Sequence, residues 1–232
     1  MKRALLVLIC LIPAVQCRRA GGPEEGATPA SVIAAGWENF ILAECDQAIK
    51  RFGEVLEVLP PGSPERAQAL YGLGQAWGFR SPGYDLELAR AYFDQLIQEN
   101  PEDPLVPWSR LAKARLEHAI PVDSKNPDPD YDHVRAAYQA VLDAHPGHPA
   151  AEEAFVFQQS TWVATLKAED AQAALENLDK FVLAYPESKV LGPVYSLMTE
   201  CYSTLGNPEK RLACEIKALE HRELDPNNPR AD

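Results

Sequence analysis

Residues Ala171 to Gly206 read AQAALENLDKFVLAYPESKVLGPVYSLMTECYSTLG, and their spacing decides the fold. Ala171, Ala174, Leu175, Leu178, Phe181, Val182 and Tyr185 recur at steps of three and four, which is one apolar face of an α-helix. Pro186 stops that helix, because it lacks an N–H and crowds the turn before it, and Ser188 carries an oxygen suited to capping a new one. Tyr195, Met198, Tyr202 and Leu205 then share one face of a second helix. The unit is helix, tight turn, helix.

The same punctuation recurs as Pro61-Gly-Ser-Pro64, Pro101-Glu-Asp-Pro104, Pro146-Gly-His-Pro149, Pro186-Glu-Ser-Lys189 and Pro226-Asn-Asn-Pro229, with lead prolines 40, 45, 40 and 40 residues apart. In most copies a second proline opens the next helix, where a missing N–H costs nothing. Self-similarity at this period predicts stacked helical hairpins, about ten helices in an all-α chain. The spacing of 45 is explained by Pro121 to Asp132, PVDSKNPDPDYD, which reads as a loop between the two helices of the third repeat.

The chain of 232 residues carries a formal charge of −12, and no Lys/Arg stripe of the kind that displaces counterions from phosphate, so nucleic acid is not expected as a partner. Met1-Lys-Arg, the apolar run Ala4 to Val15 and a small-residue region read as a secretory signal too short to span a bilayer. Two processing routes are open: lipidation at Cys17, or ordinary cleavage just beyond it. The first resembles a bacterial lipobox, with Gln16 and Ala14 departing from its usual residues. Cleavage before Cys17 removes Lys2 and Arg3 and takes the formal charge from −12 to −14, so the acidity belongs to the folded part. Residues 18–30, with Gly21, Gly22, Pro23, Gly26 and Pro29, read as a tether, and Ser31 as the first helix cap. The repeat domain spans 31–232. Cys45, Cys201 and Cys214 form no CxxC, and Cys201 and Cys214 fall on neighbouring helices where pairing stays open.

Leu70-x2-Leu73-Gly74-x2-Trp77, followed by Ala89-x3-Phe93 and Pro101, resembles the tetratricopeptide repeat. Ala48, Phe52 and Pro60, then Val134, Tyr138 and Pro146, then Ala174, Leu178 and Pro186 keep the second-helix spacing in the other copies. Among first helices, Trp108, Leu111 and Ala112 match with Arg115 at an aromatic place, and Tyr195, Met198 and Tyr202 match with Thr199 for Gly. The period exceeds the family's usual length of about 34 residues. With the lipobox-like cysteine and the tether, the pattern resembles the outer-membrane lipoproteins of the β-barrel assembly machinery, its D subunit in particular.

That resemblance implies a right-handed superhelical solenoid of about five hairpins. It implies a non-catalytic scaffold in the bacterial cell envelope, periplasmic or anchored to the outer membrane, which binds a protein or peptide and uses no cofactor and no small-molecule substrate. It also implies that first helices line the binding groove. Trp37, Phe40, Tyr71, Gln75, Phe79, Lys113, Glu117, Gln159, Lys167 and Glu200 are then the groove candidates, aromatic in the first two repeats and polar afterwards. Tyr71 and Phe79 read as exposed anchors.

A second reading, an enzyme or metal-dependent binder, draws on two features. His145-x2-His148 with Glu152 nearby offers metal-ligand residue types, although His148 falls at a helix-cap place. Asp128, Asp130 and Asp132 alternate within the acidic 123–132 loop as in a calcium loop, but His133 and Gln139 stand where such a loop needs Gly and Glu. No nucleophile elbow, phosphate loop or HExxH accompanies them. Last, the terminal helix after Pro208 is expected to turn Leu212, Ile216 and Leu219 inward beneath a charged outer face, as a solenoid cap does.

Overall fold

The computed structural model describes residues 27–80, 83–119 and 129–223. Cys17 and the signal, the tether up to residue 26, residues 121–128 of the acidic loop and the last proline stop lie outside them. Among the described residues there are ten α-helices and no strand. They are α1 (Pro29–Ile41), α2 (Cys45–Val58), α3 (Pro64–Phe79), α4 (Leu86–Glu99), α5 (Val106–His118), α6 (Tyr131–Ala144), α7 (Pro149–Val163), α8 (Ala168–Ala184), α9 (Leu191–Thr204) and α10 (Pro208–Glu223).

Consecutive helices pack on one another, giving five hairpins. The first helices of successive hairpins, α1, α3, α5, α7 and α9, also touch one another, whereas the second helices touch only their neighbours in the chain. The row of first helices is therefore the closely spaced one. In the first two hairpins this close packing rests on glycine. Phe52 of α2 is fully buried, and a Cβ on Gly36 or Gly72 would come within 2.7 or 2.5 Å of its ring. Phe93 of α4 sits likewise 2.5 Å from where Gly74 would carry a Cβ. Phe52 is thus a wedge between two helices that lack side chains at the crossing, and Phe93 a wedge against one, and burying such a ring contributes about 1.5–3 kcal/mol.

Arg66 at the start of α3 ties the first two hairpins together. Its Nε and Nη2 donate to Glu99 at 2.9 and 3.1 Å, while Nη1 donates to the carbonyls of Leu56 and Leu59 that α2 leaves open at its end. The hydrogen bond from Arg66 holds the Glu99 carboxyl below its ordinary range despite its burial.

Three local expectations are corrected. The first helix begins earlier than Ser31: Thr28 is its cap, its Oγ1 accepting from Ser31 N at 3.3 Å, so the tether ends before Pro29. Ser188 caps no helix directly. Its hydroxyl donates to Glu152 at 2.6 Å and accepts from Val190 N at 3.2 Å, bracing the turn before α9. In α10 it is Cys214, with Ala218 beside it, that faces α9, and Leu212, Ile216 and Leu219 lie 54, 50 and 51% exposed. The stop-to-stop count explains this, since Cys214 stands 40 residues after the buried Ala174 and takes its place. Cys201 and Cys214 are both free thiols, and burial pushes that of Cys201 up to about 11.

Candidate first-helix binding face

Each first helix after α1 is flanked by two second helices, and α1 by α2 alone, which leaves a strip of the row open. In α3 that strip carries Tyr71, Gln75 and Phe79. Tyr71 is half-buried between the rings of Trp37 and Phe93, 6.1 and 5.7 Å away, and its hydroxyl accepts from Gln75 Nε2 at 2.8 Å. Burial raises the Tyr71 phenol, opposed by the Gln75 hydrogen bond and by the charge of Arg115. Phe79 is 55% exposed, 6.2 Å from Phe40, and Phe40 stands 5.7 Å from Trp37. The aromatic end expected from Trp37, Phe40, Tyr71 and Phe79 is thus one continuous cluster across α1 and α3.

Beyond it the face continues with Arg115 on α5. Its guanidinium carbon lies 5.5 Å from the centre of the Phe79 ring and 4.9 Å from that of Phe157 on α7. Phe157 in turn stacks on the buried Tyr138 at 5.9 Å. Glu153 of α7 is partly buried, and burial raises its carboxyl while the Arg115 charge draws it back. Glu200 on α9 closes the row, its carboxyl also raised by burial.

Lys113 and Glu117 face the other way. Lys113 pairs with Asp94 of α4, and Glu117 takes Arg90 of α4 and, at 3.3 Å, His133 Nε2 of α6. Burial alone would raise the Glu117 carboxyl, but the hydrogen bonds and charges of Arg90 and His133 together hold it below its ordinary range. Both residues line the cleft between α4 and α6, as Tyr195, Met198 and Tyr202 line the one between α8 and α10.

The physical reason is register. Counted from the proline stops, Leu73 and Trp77 correspond to Lys113 and Glu117, and Gln75 corresponds to Arg115. Matching Leu73-Gly74 to Leu111-Ala112 instead shifts the third repeat by two residues. Two residues turn a helix by about 200°, which exchanges its faces. Gln75, Arg115, Ser160 and Glu200 follow the stop steps of 40, 45 and 40, and that count was the signal that could have found Arg115.

Gln159 and Lys167 also leave the candidate face. Gln159 is 2% exposed and occupies the place of Gly74 inside its hairpin, accepting from Asn177 Nδ2 of α8 at 3.2 Å. The wedge opposite is Leu178 instead of phenylalanine, which leaves room for the amide. Lys167 is an exposed residue at the N-terminal boundary of α8, in the hairpin turn.

Most residues of the second reading are engaged in local structure, while His145 Nε2 is buried without a hydrogen-bond partner among the described residues. His148 Nδ1 accepts from Ala150 N at 3.1 Å as the cap of α7, with the Trp108 ring 5.7 Å away. Asp130 caps α6 by accepting from His133 N, and Asp132 pairs with Arg135. Among the described residues no group of three His, Cys, Asp or Glu side chains could hold a metal ion. Asp128 lies outside the described residues. No protein-family model matches this chain, and no curated protein matches it.

Proposed function

We infer that the chain is a non-catalytic scaffold that lays an extended segment of a partner protein along its row of first helices. On this reading the row is the concave side of a right-handed superhelix, and the protein is held at a bacterial envelope membrane through Cys17. The supporting observation is the continuous open face from Trp37 and Phe40 through Tyr71, Gln75 and Phe79 to Arg115, Glu153 and Glu200. Stacked hairpins serve such extended contacts because each repeat adds the same surface again. The apolar start supplies anchors, and the polar continuation supplies hydrogen bonds and charge that fix register. The tetratricopeptide likeness of the second-helix spacing favours the same reading.

A photo-crosslinking residue placed at position 75 or at position 113 tests it in cells that make the protein. Position 75 is expected to trap a discrete adduct and position 113 none; adducts from position 113 alone would move the binding surface to the outer face. In the same cells Cys17→Ser is expected to shift the protein from the membrane to the soluble fraction. An unmodified amino terminus beginning after Cys17 would replace anchoring by simple secretion.

A further inference from the structure

We propose that Arg115 is the receptor for a side-chain carboxylate of the bound segment, so that this face selects an acidic residue two positions from an apolar one. The proposal rests on the function inferred above and names the partner's chemistry. Arg66, Arg80, Arg90 and Arg135 each meet a carboxylate of this chain. Arg115 makes no hydrogen bond or ion pair among the described residues. Its partners are the rings of Phe79 and Phe157, on the helices to either side.

With rings at 5.5 and 4.9 Å as its neighbours, the Arg115 guanidinium has N–H donors that no oxygen of the described residues accepts. Such donors suit a carboxylate, which can accept two parallel hydrogen bonds from a guanidinium. The half-buried setting limits competition from water, and the neighbouring Glu153 carboxyl feels the Arg115 charge without forming an ion pair with it among the described residues. Because the whole chain carries −12, the attraction is local to Arg115 and not a property of the surface field.

The aromatic cluster begins beside it. Phe79 is 5.5 Å from Arg115, and Phe40 is 6.2 Å from Phe79. An extended chain advances about 3.3 Å per residue and returns to the same side every second residue. An apolar side chain seated on Phe79 therefore brings a carboxylate two positions along within reach of Arg115.

The test uses the full chain and fluorescein-labelled peptides capped at both ends, one containing Phe-Gly-Glu and one Phe-Gly-Gln, with a third carrying Gln and a free C-terminal carboxylate. Fluorescence polarisation is expected to show the Glu peptide binding about tenfold more tightly than its Gln partner. Arg115→Gln should abolish that preference, and Arg115→Lys should keep only part of it, since an ammonium lacks the planar fork. Arg115→Lys keeps a cation beside both rings and should melt close to the parent, whereas Arg115→Gln should melt a few degrees lower because it loses both cation–π contacts. A preference that survives in Arg115→Gln, or preference for the free C-terminal carboxylate over the Glu side chain, overturns the proposal. Equal binding of Glu and Gln peptides removes this inference and leaves the scaffold reading standing, whereas no peptide binding at all counts against both.

Discussion

Gly74→Val is expected to destabilise the protein by about 3 kcal/mol and lower its melting temperature by roughly 6 to 12 °C. The ring of Phe93 already stands 2.5 Å from the position of a Cβ at residue 74, and Phe93 is 1% exposed, so the ring has nowhere to turn. Valine gains only a few tenths of a kcal/mol over glycine in helix propensity, far too little to offset the clash. The fourth hairpin indicates how to relieve it. There Gln159 occupies the equivalent of Gly74 while Leu178 replaces Phe93, and both are accommodated in the interior. Gly74→Val combined with Phe93→Leu should therefore recover more than half of the loss. Thermal unfolding followed by circular dichroism checks both. A single mutant as stable as the parent would mean that the α3–α4 crossing is looser than this geometry requires.

The hairpins were legible because proline stops are local chemistry: a missing N–H and a fixed φ act wherever they occur. The same holds for the wedges Phe52, Phe93, Tyr138 and Leu178, each four residues after a buried Ala or Val. The open face was legible in α1, α3 and α9 and lost in between. A motif match places Leu111-Ala112 on Leu73-Gly74 by residue type alone, and both pairs are small and apolar enough to be buried in either register. The proline-stop count separates the registers, and its outcome shows in pairs between different helices, Lys113 with Asp94 and Glu117 with Arg90. Gln159 was misplaced for a related reason. An amide reads as surface until its partner, Asn177 on the next helix, is known. The stripe of Leu212, Ile216 and Leu219 shows the converse, since helical periodicity marks an apolar face but does not say which face the preceding helix covers.

Phe79→Ala should weaken capture of the partner trapped from position 75 by about 2 kcal/mol, roughly thirtyfold, while leaving the melting temperature within about 2 °C of the parent. More than half of the Phe79 side chain is already in solvent, so truncation removes little of the core. What it removes is the shelf shared with Phe40 and one of the two rings that flank Arg115. Tyr71 does not offer the same clean separation, contrary to its reading as an exposed anchor. Wedged between Trp37 and Phe93 and hydrogen-bonded to Gln75, it stabilises the α1–α3–α4 junction as well as shaping the face. Tyr71→Ala is therefore expected to lower stability and affinity together. Lys113→Ala provides the outer-face control, losing a partly exposed pair with Asp94 whose worth is at most about 1 kcal/mol. If Phe79→Ala binds like the parent while Lys113→Ala does not, the first-helix face is not the binding surface and the cleft between α4 and α6 takes its place.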